Sequence, residues 1–246
     1  MSRQSRQTPA AVVRAAVRHL KAHGSREHAA GVQWFFKEQV RSHGWYTADL
    51  RRYARALHGQ LAADQALLLD VAGRLFGSPV LEEKALAVIM LQPSLRRFGA
   101  AEFRRFEAWL DHVASWADHD ALTMYLIGPL MAAQPARARR VFPWARARDR
   151  WHRRAAAVSL IHGVRRGGLV AEATRITHAL AADKDDMVQK GLGWLLREWG
   201  KVRPAETEPL LLAIRSRTSR LVLRTACERL PPAARRRVLD RQAPID

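Results

Sequence analysis

The chain has 246 residues, of which 48% are apolar, enough to bury a core, and its 42 Lys and Arg residues outnumber its 23 Asp and Glu residues. The formal net charge of +19 indicates a polyanionic partner, nucleic acid first and a membrane surface second, although Arg used only as a surface cation is the alternative explanation. The single cysteine excludes internal disulfides and Cys-based zinc fingers. Met1–Gln7 has no apolar core, and the sequence contains no apolar run of 18 residues. These features predict a cytoplasmic protein that is associated with the nucleoid when it is bound to DNA.

Helix-forming residues and short connections containing Gly, Pro or Asp predict an all-helical chain. Thr8 is the expected N-cap of the first helix, with Pro9 in its first turn and Gly24 at its end. Further helices are predicted over residues 27–42, 47–59, 61–75, 80–91, 102–113, 118–133, 135–143, 150–166, 169–182, 185–200 and 204–216, with Thr47 and Asp118 as N-caps and Gly44 as a break. The last segment, residues 231–246, is predicted to be a capping helix that frays into a tail, and Cys227 is expected to be a small buried filler.

A pattern that recurs with a period in the mid-thirties organises the chain. The segment Trp151–Leu160 has relatives around residues 189–195 and 223–227 and, in the other direction, around residues 119–122, 83–87 and 51–54. Such a period on helix-forming residues is typical of stacked helical hairpins. We therefore predict one continuous domain over residues 1–246, an α-α superhelix of tandem HEAT-like hairpins, that is, a solenoid with a basic concave face.

One position of this repeat is basic in all copies but one. It is occupied in turn by Arg52, Lys84, Asp120, Arg154, Lys190 and Arg224. Because equivalent positions of a solenoid line up on one face, the series predicts a basic ridge interrupted by a single carboxylate.

Two tryptophans lie one helical turn from members of this series. Trp116 precedes Asp120 by four residues, and Trp194 follows Lys190 by four. The interpretation is that both rings and Arg154 surround the carboxylate, since aromatic faces and cations hold sugar-phosphate backbones and bases. The structural alternatives are that the tryptophans belong to the core and that the acid only caps its helix or pairs with a neighbouring Arg.

Three motifs in order resemble the HEAT-repeat DNA alkylation-repair glycosylases, the AlkD-like family. Residues 189–198, QKGLGWLLRE, look like that family's QKxxGWxLRE stretch. Residues 151–156 resemble its WxxRxA segment, and residues 116–120 resemble its WxxxD segment. Together with the helical entry at Phe35-Phe36-Lys37, the likeness covers most of the chain.

The resemblance implies a monofunctional glycosylase that removes cationic N3- and N7-alkylpurines, such as 3-methyladenine and 7-methylguanine, from duplex DNA. It implies no metal and no cofactor. It places Asp120, Trp116 and Trp194 in the catalytic site and Arg154 on DNA. Phe35 stands where the family has a cleft tyrosine, so one hydroxyl contact is missing. The remaining DNA-binding residues that we predict are Lys190, Lys84, Arg224, Phe35 and Lys37.

The chemistry of such a base suits a single carboxylate. Alkylation at N3 or N7 already makes the purine a cationic leaving group, so no general acid is required. Bond cleavage builds positive charge on the deoxyribose, and the hypothesis is that Asp120 stabilises this oxocarbenium-like sugar and orients water.

Three other functional classes stay open. A non-catalytic HEAT-repeat module could bind DNA or an acidic protein through the same basic residues. A membrane-surface protein would need an exposed basic amphipathic helix, for which residues 235–241 are the candidate. A metal site built from His112, Asp118, His119 and Asp120 lacks a supporting motif, and we expect no metal, no membrane and a monomer.

Overall fold

The structure, a computed structural model, describes residues 8–240, whose regular secondary structure is helical. The only β-type pairing in this range is an isolated bridge between Arg41 and Val80, so the predicted all-α fold class is confirmed. Residues 1–7 and 241–246, which include the N-terminal segment and the end of the predicted tail, lie outside the described residues. No helix within residues 8–240 is long and apolar enough to cross a bilayer.

The chain divides into two compact units, Met1–Leu126 and Ile127–Asp246. Each is built from short helices, many of which pack on helices two or three places away in chain order. The single domain over residues 1–246 stays a prediction.

The first unit is organised around its fifth helix. Its α-helices are α1 (Pro9–His23), α2 (Arg26–Val32), α3 (Thr47–Leu61), α4 (Gln65–Phe76), α5 (Leu81–Leu91), α6 (Ala100–Ala108) and α7 (Trp116–Leu122). Helix α5 packs against α1, α3, α4 and α7, and its Leu86, Met90 and Leu91 are fully buried. Through the contact with α7, this apolar helix supports the segment that carries the predicted catalytic carboxylate.

The second unit is organised around its longest helix. Its α-helices are α8 (Gly128–Ala133), α9 (Val141–Trp144), α10 (Arg150–Val158), α11 (Ile161–Val164), α12 (Val170–Leu180), α13 (Asp186–Val202), α14 (Pro204–Ile214), α15 (Arg220–Ala226) and α16 (Pro232–Leu239). Helix α13 packs against α10, α11, α12, α14 and α15, and it buries Leu195, Leu196 and Trp199. Cys227 is fully buried as predicted, and burial raises the pKa of its thiol to about 11.

Local capping signals explain the helix starts that the sequence predicts best. Thr8 caps α1 by accepting a hydrogen bond from the Ala11 amide, and Pro9 occupies the first turn. Asp185 caps α13 by accepting from the amides of Met187 and Val188. Each cap satisfies amide groups that would otherwise lack an intrahelical partner.

The predicted helix over residues 27–42 is wrong. Helix α2 ends at Val32, a 3-10 helix follows over Gln33–Phe35, and the chain is then irregular up to the start of α3. The buried Glu82 carboxylate accepts hydrogen bonds from the amides of His43 and Gly44, at 2.7 and 3.0 Å, and holds this stretch in a loop. A carboxylate that lies about forty residues further along the chain thus replaces the helical bonding that local sequence favours.

The predicted helix over residues 118–133 is also corrected. Helix α7 begins at Trp116, with Ser115 as N-cap and Asp118 at the third helical position, and Thr123–Ile127 forms a π-helical segment before α8. Thr47 is the first residue of α3 rather than its cap. The stretch predicted as one helix over residues 150–166 is divided into α10 and α11. Helix α15, which is not among the predicted helices, lies in the repeat copy around residue 224.

Candidate functional site

The start of α7 is fixed by a capping box. The Asp118 carboxylate accepts hydrogen bonds from the amides of Ala114 and Ser115, both at 2.8 Å, and contacts the Ser115 hydroxyl. Asp118 and Ser115 are buried, so the acid is committed to the helix start. The capping box thus fixes the start of α7, the helix that carries Asp120 in its next turn.

A buried lysine stands behind this cap. The Lys84 ammonium lies 3.7 Å from Asp118 and donates to the carbonyl groups of Phe76 and His112, at 2.8 and 2.5 Å. Burial lowers the pKa of Lys84, and the Asp118 carboxylate opposes that shift. Lys84 therefore joins the end of α4, the end of the 3-10 helix Trp109–His112 and the start of α7.

Trp116 anchors the irregular segment that follows α2. Its indole stacks on the Phe36 ring, with centroids 5.1 Å apart and an angle of 17° between the planes. Its Nε1 donates to the Phe35 carbonyl at 3.4 Å. Trp116 is half-buried, so part of the ring lies at the surface of the first unit.

Asp120 lies one turn after Trp116 on the same helix. Its side chain keeps 21% of its surface exposed, whereas the adjacent His119 side chain is fully buried. The His119 Nδ1 lies 2.7 Å from an Asp120 carboxylate oxygen. An ionised carboxylate only accepts hydrogen bonds, so the pairing with ionised Asp120 is made by the tautomer that carries the proton on Nδ1. The imidazole thereby orients the carboxylate from the protein side while the acid still reaches the surface.

In the second unit, the predicted residues differ in exposure. Arg154 is buried, its guanidinium donates to the Met187 carbonyl at 2.6 Å, and its side chain lies over Gly191. Lys190 is 43% exposed and pairs with Asp186 at 3.2 Å. Trp194 is half-buried and Arg224 is exposed.

The prediction that all members of the cationic series form an exposed ridge is therefore wrong for Lys84 and Arg154. Both side chains are buried and donate to backbone carbonyl groups, and their predicted contacts with DNA stay predictions. Arg52, Lys190 and Arg224 keep surface exposure, and Arg52 pairs with Asp49.

A cavity of about 520 Å³ in the first unit is lined by other residues. Its aromatic part consists of His19, Trp45 and Tyr53, and the His19 and Tyr53 rings stack at 4.2 Å. Burial, followed by the charge of His23, lowers the pKa of His19. None of the predicted catalytic or DNA-binding residues lines this cavity. Within residues 8–240, no group of three or more His, Cys, Asp and Glu side chains has an arrangement that would hold a metal ion.

Comparison with known proteins decides the family. Residues 16–230 match the family described as DNA alkylation repair enzyme. The chain belongs to this family. A solved structure described as "Predicted DNA alkylation repair enzyme from Enterococcus faecalis" is similar with a TM-score of 0.77 and 19% identity, over 85% of this chain and 97% of that chain. At this identity the likeness shows the fold alone, and no curated protein matches the sequence.

As a DNA alkylation repair enzyme, the protein acts in the repair of alkylated DNA. Sequence reasoning misses two features. It treats His119 only as a metal ligand, whereas the imidazole orients Asp120. It places Trp34 inside the predicted helix over residues 27–42, whereas the structure exposes the Trp34 ring. The adjacency of His119 and Asp120 in the sequence is the signal that could have indicated the orienting role of His119. The exposure of Trp34 has no such signal, because the loop that exposes its ring depends on contacts with distant residues.

Proposed function

We propose that this DNA alkylation repair enzyme is a glycosylase that hydrolyses the N-glycosidic bond of cationic N3- and N7-alkylpurines in duplex DNA, as a monomer without metal or cofactor. The observation that carries the proposal is the contrast between the two acids of α7. Asp118 is buried and committed to the capping box, whereas Asp120 is partly exposed and oriented by His119. A preorganised carboxylate at the surface is what the reaction requires.

The reaction needs charge stabilisation rather than proton donation. The alkylated purine leaves as a neutral base because it carries the positive charge before cleavage, and the deoxyribose becomes electron-poor as the bond lengthens. Asp120 stabilises that sugar cation electrostatically and orients the water that attacks it. The buried His119 supports this role because its contact with the carboxylate keeps that carboxylate oriented.

The DNA contacts in this proposal come mainly from residues with exposed surface. Lys37, Lys190 and Arg224 contact phosphate groups, and the half-buried rings of Trp116 and Trp194 pack against the sugar-phosphate backbone. Such contacts tolerate any sequence and weaken with salt. Arg154, for which the sequence predicts a contact with a phosphate beside the lesion, keeps that role in this proposal; its guanidinium also donates to the Met187 carbonyl and its side chain lies over Gly191.

Single-turnover release of 7-methylguanine from an oligonucleotide duplex tests the proposal. Asp120→Asn keeps the shape of the side chain and removes its charge, and we expect the rate to fall about a hundredfold, equivalent to about 3 kcal/mol of barrier. The matched control is Asp70→Asn, which makes the same charge change at an exposed acid of α4 that pairs with Arg105. We expect the control to release base at the wild-type rate.

The alternatives give different results in the same assay. Release by Asp120→Asn at the wild-type rate would contradict the catalytic role of this carboxylate. Tight binding of alkylated DNA without release of base by the wild-type protein would identify a non-catalytic binding module instead.

A further inference from the structure

Two adjacent aromatic side chains of the first unit project into solvent. Trp34 is 91% exposed and Phe35 is 76% exposed, the highest values among the large apolar residues within residues 8–240. A single exposed apolar side chain is ordinary, but here two consecutive aromatic residues both project into solvent. Exposed apolar residues that lie together are typical of an interaction site.

The backbone beneath these rings is held firmly. The Gln33 side-chain amide donates to the carbonyl groups of Phe36 and Glu38, at 3.3 and 2.8 Å, and its oxygen accepts from the Val40 amide at 3.0 Å. One side chain thus closes the segment into a compact loop. The aromatic pair is therefore presented by an ordered backbone, which reduces the entropy lost on binding.

The far side of the loop is anchored to the helix of the candidate site. The Phe36 ring stacks on Trp116, and the Trp116 indole donates to the Phe35 carbonyl. Asp120 follows Trp116 by one helical turn. The loop and α7 belong to the same unit, so their contact is part of one packed body.

The charge of the loop favours a polyanion. Lys37 and Arg41 are both exposed and carry positive charge, and Glu38 is the only acid between Gln33 and Arg41. Aromatic faces flanked by cations are the combination that binds nucleobases together with their phosphates. A protein partner would have to be acidic, whereas DNA supplies both a flat apolar surface and negative charge.

We propose that Trp34 and Phe35 form an aromatic wedge that stacks on DNA bases beside the lesion and opens the base stack there. Insertion of an apolar side chain between base pairs costs stacking energy, and that cost is smallest where pairing is already weakened. The wedge thus adds selectivity for damaged or mispaired steps. The inference rests on the proposed function only in taking DNA as the ligand, and it does not require hydrolysis.

Duplexes that contain 2-aminopurine beside a mismatch report the opening directly, because the fluorescence of this base rises when it loses its stacking partners. With the full chain we expect a rise in fluorescence on binding, and we expect Trp34→Ala with Phe35→Ala to abolish it. The affinity for the duplex should fall between about fivefold and a hundredfold for each ring removed. Trp34→Phe, which keeps an aromatic face, should restore most of both signals.

The matched control is Val202→Ala, which shortens another exposed apolar side chain. Its fluorescence rise and affinity should equal those of the wild-type protein. Circular dichroism should show that the double variant folds, since neither ring packs in the core. A double variant that keeps wild-type affinity and fluorescence would overturn the wedge. The wedge would also be overturned if the double variant changed only in self-association, measured by sedimentation. The two rings would then bind a second copy of the chain.

Duplexes that carry 2-aminopurine beside 7-methylguanine separate this inference from the glycosylase proposal. Asp120→Asn should still open the base stack, although it should release the base about a hundredfold more slowly than the wild-type protein. If the wild-type protein opens the stack but releases no base from alkylated DNA, the wedge stands and the glycosylase proposal fails. If the wild-type protein binds and releases base with no rise in fluorescence, the glycosylase proposal stands and the wedge fails.

Discussion

The starts of α5 and α13 carry lysines that the repeat aligns, yet the two ammonium groups lie in opposite surroundings. Lys84 is 4% exposed, donates to two backbone carbonyl groups and lies near Asp118. Lys190 is 43% exposed and pairs with Asp186, four residues earlier on its own helix. A buried cation that connects three segments and a solvated cation on a helix surface occupy the same position of the pattern.

The difference shows that a repeat period predicts which helical turn a residue occupies but not what approaches that turn. At α5, the ends of α4 and of the 3-10 helix Trp109–His112 supply carbonyl groups that lack helical partners, and Lys84 satisfies one at each. At α13, the nearest acid is local, so Lys190 remains at the surface. One lysine thus stabilises the fold, and the other is a candidate for binding DNA.

The largest expected effect on the free energy of unfolding is at the buried Lys84. Lys84→Met keeps most of the apolar length but leaves the Asp118 carboxylate without this buried cation and removes the donor from two carbonyl groups. Breaking a buried pair in this way costs about 3–5 kcal/mol, so we expect the urea midpoint to fall sharply. Lys190→Met, the matched variant, should change the free energy of unfolding by no more than about 0.5 kcal/mol. Equal midpoints for the two variants would contradict the assignment of Lys84 as a structural residue.

A smaller effect is expected within α13, where a glycine three residues after Lys190 permits close packing. A Cβ atom at Gly193 would lie 2.8 Å from the Thr225 Cβ of α15, closer than such atoms approach. Gly193→Ala should therefore destabilise the protein by about 1–2 kcal/mol, since overpacking exceeds the gain of about 1 kcal/mol in helix propensity.

The control for this substitution is Gly59→Ala in α3, because no atom lies within 4 Å of a Cβ placed there. We expect a small stabilisation, measured by thermal unfolding. If Gly193→Ala were also stabilising, α15 would be free to move away from α13, and the glycine would have no packing role.

The fold is predictable from the sequence where its signals are local. Thr8 and Asp185 cap helices that begin where the composition changes, and both starts agree with the structure. The helix predicted over residues 27–42 is wrong beyond the end of α2 for a physical reason. Gln33 folds back on its own segment, and Glu82 binds amides about forty residues away, so tertiary hydrogen bonds override helix propensity.

The candidate site follows the same division. The helical spacing of Trp116 and Asp120 is local, and both residues lie on α7, although this helix begins two residues before the predicted N-cap Asp118. The roles of their neighbours depend on packing: His119 orients Asp120 because it is buried beside it, and Phe36 stacks on Trp116 from a loop eighty residues earlier. Burial of Lys84 and Arg154 likewise depends on carbonyl groups that only the assembled helices bring together.

The smallest expected effect on stability is at the exposed Lys190. Its predicted contact with DNA is tested by the salt dependence of DNA binding. If Lys190 contacts one phosphate, Lys190→Ala should lower the slope of log K against log salt by about one, because one fewer counterion is released. Its free energy of unfolding should change by no more than about 0.5 kcal/mol. Lys21→Ala removes an equal charge from an exposed position of α1 outside the repeat series, and its slope should stay close to that of the wild-type protein. Equal reductions for the two variants would mean that overall charge, rather than a phosphate contact at the start of α13, carries the salt dependence.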